Sequence, residues 1–166
     1  MENKRPVRKP TRLKSFDYAK PNVFFITVCT QNRRCILSSV VGEGSPLPQL
    51  SVYGKIVDRW IQILPKHYNN VSVSHYVIMP NHIHLLLSVT ERGRGDPSPT
   101  IDKIIGWFKY QITRDINNIR KTEKEKIFQR SFYDHIVRNR DDYLEIAKYI
   151  TENPRRWQLD KLYSQE

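Results

Sequence analysis

Two periodicities run through this chain. Val23 to Thr30 (VFFITVCT) is a continuous run of β-branched and aromatic residues and reads as a buried strand. Val52 to Leu64 is helical in pattern, with Ile56, Trp60, Ile63 and Leu64 on one side and Pro65 expected to end it. Val71 to Met79 and His82 to Val89 return to strand character, and the Pro80-Asn81 pair between them is either a tight turn or a bulge. Ile101, Ile104, Ile105, Phe108, Ile112 and Ile119 then recur at helical spacing and define the buried stripe of a second helix. Phe132 to Arg138 (FYDHIVR) reads as a fourth strand. Asp141 to Asn153 is a last helix with Tyr143, Ile146, Ala147 and Ile150 facing inward, ending where Pro154 disfavours helical geometry at Asn153. Residues 42 to 50 and 91 to 99, rich in Gly, Ser and Pro, are loops. The first six elements follow a βαββαβ order, which predicts an α+β, ferredoxin-like sandwich with an antiparallel sheet, extended by an additional C-terminal helix.

Charge adds a partner to this outline. The 28 Lys and Arg against 17 Asp and Glu give a net charge of +11, and such an excess favours a polyanion because basic side chains displace condensed counterions from nucleic acid. Lys4, Arg5, Arg8, Lys9, Arg12, Lys14 and Lys20 concentrate it in a basic arm over residues 1–20, leaving 21–166 as a single domain. On the second helix, opposite the apolar stripe, lie Lys103, Trp107, Tyr110 and Arg114. That face suits phosphate contact and base stacking, and equally an ordinary solvated face. Cys29 and Cys35 form neither a CxxC pair nor a disulfide framework, which fits a reducing interior. No stretch approaches the roughly 18 apolar residues of a membrane span, and the basic N-terminus lacks a signal peptide's apolar core. The expected setting is cytoplasmic, in association with the nucleoid.

Chemistry enters at Tyr76 to Leu87 (YVIMPNHIHLLL). Alternation along a strand puts His82 and His84 on one face and sends Ile83 and Leu85 to the core. Two adjacent imidazoles can hold a divalent metal, although either could instead be a satisfied polar group at a sheet edge. The last helix offers Tyr149 and Asn153, four residues apart on one face. Tyr149 lies roughly 100° from the centre of the buried stripe, where a phenol meets both protein and solvent, and an amide oxygen from Asn153 suits a hard cation. Periodicity does not exclude Tyr110 or Tyr133 as rivals. His135, His75 and His67 read as structural or surface residues.

The segment MPNHIHLLL at 79–87 resembles the HUH motif (His, bulky apolar residue, His) of single-tyrosine DNA transposases. FKYQITRDIN at 108–117, FQRSFYDHIVRN at 128–139 and YITENPRRW at 149–157 resemble the REP-associated tyrosine transposases among them. One departure is Phe128, where many relatives carry Trp. The resemblance implies that His82, His84 and Asn153 are metal ligands for Mg²⁺ or Mn²⁺ and that Tyr149 is the nucleophile. It implies metal-dependent cleavage and transfer of single-stranded or hairpin-forming palindromic DNA through a covalent 5′-phosphotyrosine, by a monomer or a homodimer. Lys103, Trp107, Lys109, Arg114, Arg130 and Arg138 are candidate DNA contacts. Two other readings keep the same residues: a domesticated hairpin-binding protein that does not cut, and a metal-dependent phosphodiesterase that uses water.

Overall fold

The structure is a computed structural model that describes residues 22–40, 47–90 and 99–164. The basic arm of residues 1–20 and most of the 42–50 and 91–99 loops lie outside the described residues. In chain order the elements are β1 (Asn22–Cys29), a ribbon of β2 (Ser38–Ser39) and β3 (Gln49–Leu50), α1 (Val52–His67), β4 (Val71–Ile78), β5 (His82–Val89), α2 (Ile101–Arg120), β6 (Tyr133–Ile136) and α3 (Arg140–Glu152). The main sheet has the order β4-β5-β1-β6, and every neighbouring pair is antiparallel. The two central strands are the first and third of the large ones, which is the ferredoxin-like arrangement the βαββαβ order predicts. Among the described residues, no helix is long and apolar enough to cross a membrane.

Side-chain alternation divides this sheet into two unlike faces. Phe24, Ile26, Val28, Ile83, Leu85 and Leu87 point to one side and pack with Ile56, Val57, Ile61 and Leu64 of α1 and with Ile104, Ile105, Phe108 and Ile112 of α2. The other side carries Val77, Leu86 and Phe25, which meet Ala147, Ile150 and Ile146 of α3. The final helix therefore covers the face that α1 and α2 leave open. Gly54 shows how closely the first layer is built: a Cβ there would lie 2.0 Å from the Leu37 carbonyl oxygen, so no other residue fits without moving backbone.

Two expectations need correction. Pro65 does not end α1, which continues to His67. A proline in the last turn removes only its own N–H bond, and the Tyr68 N–H still donates to the Leu64 carbonyl at 3.0 Å. Ile119 is not part of the buried stripe of α2; it is 54% exposed, whereas Ile116 is fully buried. Its helical angle is suitable, but it lies one residue from the helix end.

Candidate active site

The paired histidines stand on the α3 face of β5. The register opposes Thr27 to His84 and Cys29 to His82, so that face presents both imidazoles beside the side chain of Thr27. The Pro80-Asn81 pair is a tight turn rather than a bulge, closed by the Met79 N–H donating to the His82 carbonyl at 2.8 Å. The turn is held from outside as well, by Thr30 N–H on the Asn81 carbonyl at 2.9 Å and Leu37 N–H on the Pro80 carbonyl at 3.0 Å.

Hydrogen bonding fixes the ring state of His82. The Asn81 amide nitrogen donates to the Leu162 carbonyl at 2.8 Å and lies 2.9 Å from the Ser164 hydroxyl. Its Oδ1 therefore faces His82 Nδ1 at 2.8 Å, which places that ring's proton on Nδ1 and leaves Nε2 with its lone pair outward. His84 Nδ1 lies 2.9 Å from Thr27 Oγ1, a hydroxyl able to donate or accept. The two Nε2 atoms are 3.1 Å apart, a distance that requires a proton or a cation between two lone pairs. Both rings are buried. Burial pushes His82 down to about 4 against a weaker opposing pull from the Asp160 charge. Burial, then the neighbouring His82, holds His84 well below the ordinary imidazole range. The pair is neutral at physiological pH, as metal ligation requires.

α3 reaches this pair because its start is anchored. Asn139 caps the helix, its Oδ1 accepting the Asp142 N–H at 2.9 Å. The Asp142 carboxylate accepts the Arg138 N–H at 2.9 Å and pairs with His135 Nε2 at 3.0 Å. The segment FYDHIVRN thus ties the end of β6 to the first turn of α3. Two turns on, the Tyr149 hydroxyl arrives 3.5 Å from His84 Nε2. Its ring meets Phe25 edge-on at 6.0 Å, and Phe25 also lies 5.1 Å from the His84 ring. Tyr149 is 43% exposed, so it touches both the site and solvent. Its phenol is pushed up to about 12, by burial first and the charge of Asp160 second.

Asp160 is the residue that the sequence did not disclose. After α3 the chain makes a short, kinked 3₁₀ stretch over Asn153–Leu159, which returns the tail to the histidines. Asp160 Oδ2 accepts from Asn153 Nδ2 at 2.7 Å and from the Tyr149 hydroxyl at 3.3 Å, while Oδ1 accepts the Leu162 N–H at 2.7 Å. Ligand atoms of His82, His84 and Asp160 all lie within 4.8 Å of one another. Asn153 is buried, and its Oδ1 has no hydrogen-bond partner; such an acceptor costs about 1–3 kcal/mol when left unmade. Two imidazole nitrogens, a carboxylate and an orphaned amide oxygen are a donor set that fits a divalent cation. Contrary to expectation Asn153 keeps helical geometry before Pro154, and no periodic signal leads to Asp160 because the 3₁₀ stretch that follows α3 is kinked at Arg156 and has no constant spacing.

The rival tyrosines are elsewhere. Tyr110 lies on α2, the layer across the sheet, and is 64% exposed. Tyr133 touches Phe25 at 6.5 Å, and no contact links it to the histidines among the interactions of the described residues. The candidate DNA contacts are not gathered at the histidines. Lys103, Trp107, Lys109 and Arg114 are on α2. Trp107 stacks on His67 at 3.9 Å and meets Trp60 and Tyr68 edge-on, so one ring face reserved for a base is already covered. Lys109 donates to the Gln129 and Arg130 carbonyls and staples that loop to α2. Arg114 forks onto Asp115. Lys103, Arg130 and Arg138 are exposed. Lys109 and Arg130 do share an open groove of about 810 Å³ with Tyr110, Lys124 and Lys126.

Comparison with known proteins bears on the family and the fold. A family model described as "Transposase IS200 like" matches residues 25–153. A protein of Haemophilus influenzae described only as uncharacterized is 30% identical over 172 residues, covering 94% of this chain and 93% of its own length. A second from the same organism, a putative REP-associated tyrosine transposase, is 28% identical over 147 residues, covering 83% and 73%. Among solved structures, a REP-associated tyrosine transposase bound to a REP hairpin superposes with a TM-score of 0.55 at 20% identity, over 86% of this chain and 72% of that one. A putative transposase from Deinococcus radiodurans gives 0.51 at 16%, over 86% and 98%. At these identities the solved structures share the fold.

Proposed function

Because this chain belongs to the IS200-like transposase family, we propose that it cuts single-stranded DNA beside a hairpin and rejoins it, with Tyr149 as the nucleophile. The observation that carries this reading is the 3.5 Å approach of the Tyr149 hydroxyl to His84 Nε2 within one chain. The net charge of +11 supports a polyanionic substrate, and the hairpin held by one solved relative supports its folded form.

Tyr149 Oη attacks the phosphorus of a phosphodiester and the bond to the 3′-oxygen breaks, leaving the 5′-phosphate esterified to the tyrosine. One ester replaces another, so a second 3′-hydroxyl can reverse the step and join a new strand. His82, His84 and Asn153 would hold Mg²⁺ or Mn²⁺. Bound there, the cation supplies Lewis-acid neutralisation of charge on the phosphate and favours the phenolate of Tyr149. Asn81 and Thr27 orient the two imidazoles, and Phe25 braces His84 and Tyr149 together. The groove that Lys109, Arg130, Lys124 and Lys126 line is the site we assign to the DNA backbone, with Lys103, Arg114 and Arg138 as outlying phosphate contacts. Trp107, outside the lining of that groove, serves as a stacking surface only if His67 gives way.

The test is a denaturing gel of the protein with a synthetic hairpin carrying a single-stranded flank, in Mn²⁺. A covalent adduct is expected, absent in Tyr149→Phe and strongly reduced in His84→Ala. An adduct persisting in Tyr149→Phe sinks the assignment. Salt-sensitive binding without any adduct favours a non-cutting hairpin binder, and cleavage without an adduct favours hydrolysis by water.

A further inference from the structure

We propose that Asp160 belongs to the cation site and that the cation and the Tyr149 hydroxyl compete for it, so that ion loading frees the nucleophile. The inference rests on the reading of His82 and His84 as ligands. Asp160 lies seven residues beyond the stretch that the family model matches, in a tail whose position follows from this chain's own contacts. Those contacts are specific. Leu162 and Ser164 meet the Asn81 amide, the Ser164 hydroxyl donates to the Arg33 carbonyl, and the Trp157 ring lies 5.9 Å from His82 and 5.1 Å from Tyr163. The tail is thereby fastened over the imidazoles with Asp160 turned towards them.

One oxygen makes the competition. Asp160 Oδ2 accepts from both Tyr149 and Asn153, whereas Oδ1 is committed to the Leu162 N–H. Asn153 presents its NH₂ to this oxygen and leaves Oδ1 buried without a partner. An amide in that orientation offers a cation the wrong end. Turning it over presents Oδ1 to the site, but sets that oxygen against the Asp160 carboxylate, which only a cation between them makes favourable. The same cation occupies the oxygen that Tyr149 uses. Asn153 and Asp160 are thus a coupled pair: without an ion they bond to each other and hold the tyrosine hydroxyl, and with an ion both turn to it and the hydroxyl is released towards substrate.

The experiment needs no DNA. Mn²⁺ binding is measured by calorimetry on the full chain, its Asp160→Asn variant and His84→Ala, with melting temperature as a folding control. In Asp160→Asn an amide keeps an acceptor for Leu162 but removes the charge; the account expects Mn²⁺ affinity to fall at least tenfold. An affinity within threefold of the parent overturns the role of Asp160 while leaving the histidine site standing. No Mn²⁺ binding by the parent chain, or undiminished binding in His84→Ala, overturns the histidine reading and this inference with it. Should Asp160→Asn fail to fold, the parent chain alone decides: Mg²⁺ titration followed by NMR should move both the Asp160 carboxylate carbon and the Asn153 side-chain amide. Signals of both groups unmoved at saturating Mg²⁺ contradict the proposal.

Discussion

The two faces of the sheet obey different rules. Beneath α1 and α2 the strands present an almost unbroken apolar surface, in which Phe24, Ile26, Ile83, Leu85, Leu87 and Phe108 are fully buried. Beneath α3 the same strands place Thr27, His82 and His84 among a smaller cluster of Val77, Leu86, Ala147 and Ile150. The first face needs only volume and apolarity. The second buries polar groups, and each must be partnered through a neighbour on a different element. Stability is therefore concentrated on one side and chemistry on the other, with alternating residues of a single strand, β5, serving both.

The largest expected effect separates the faces by stability. Ile83→Ala, a deletion in the fully buried layer, should cost about 2–5 kcal/mol, measured by urea denaturation. Leu144→Ala on α3, at 53% exposed, should stay within about 0.5 kcal/mol. Equal costs would erase the distinction.

Acid should act on the histidine face. His82, depressed from 6.5 to about 4, binds its proton more readily in the unfolded chain. Its contribution is intact above pH 6.5 and is lost as pH falls towards 4, a change of roughly 3 kcal/mol. Denaturation in chelator across that range should show the slope, and His82→Gln should lessen it, leaving the part that the buried His84 ring contributes. A parent chain whose stability is level from pH 6.5 to 4 would show that these rings are not held neutral by burial.

A smaller effect probes the supports. Asn81→Leu removes the acceptor that holds the His82 proton on Nδ1 and should weaken Mn²⁺ binding about 10–100-fold, read by calorimetry. Unchanged affinity would mean that the ring state is set elsewhere.

This contrast also explains what was legible in the sequence. The apolar face follows from period alone: the His82–Val89 strand and the Ile101–Ile112 stripe were both readable because burial repeats at fixed spacing. Where an element ends, spacing no longer informs, so the helix runs past Pro65 and Ile119 is exposed despite its suitable angle. On the other face, alternation paired His82 with His84, and helical spacing paired Tyr149 with Asn153. Joining the two pairs, and preferring Tyr149 to Tyr110 and Tyr133, came from resemblance to a family. The structure sets Tyr149 beside His84, with Tyr110 across the sheet. Asp160 and Thr27 meet the histidines only through tertiary folding, a kinked tail and a strand register, while Asn81 meets its neighbour His82 through the local geometry of a tight turn. None of these leaves a period in the sequence.

The central claim is that one chain assembles Tyr149 against the histidine pair as its reacting group. It is tested most directly by digesting the covalent complex formed on a hairpin substrate in Mn²⁺ and locating the nucleotide-bearing peptide by mass spectrometry. The account predicts phosphodiester-linked nucleotide on Tyr149. Nucleotide on Tyr110 or Tyr133 would contradict it.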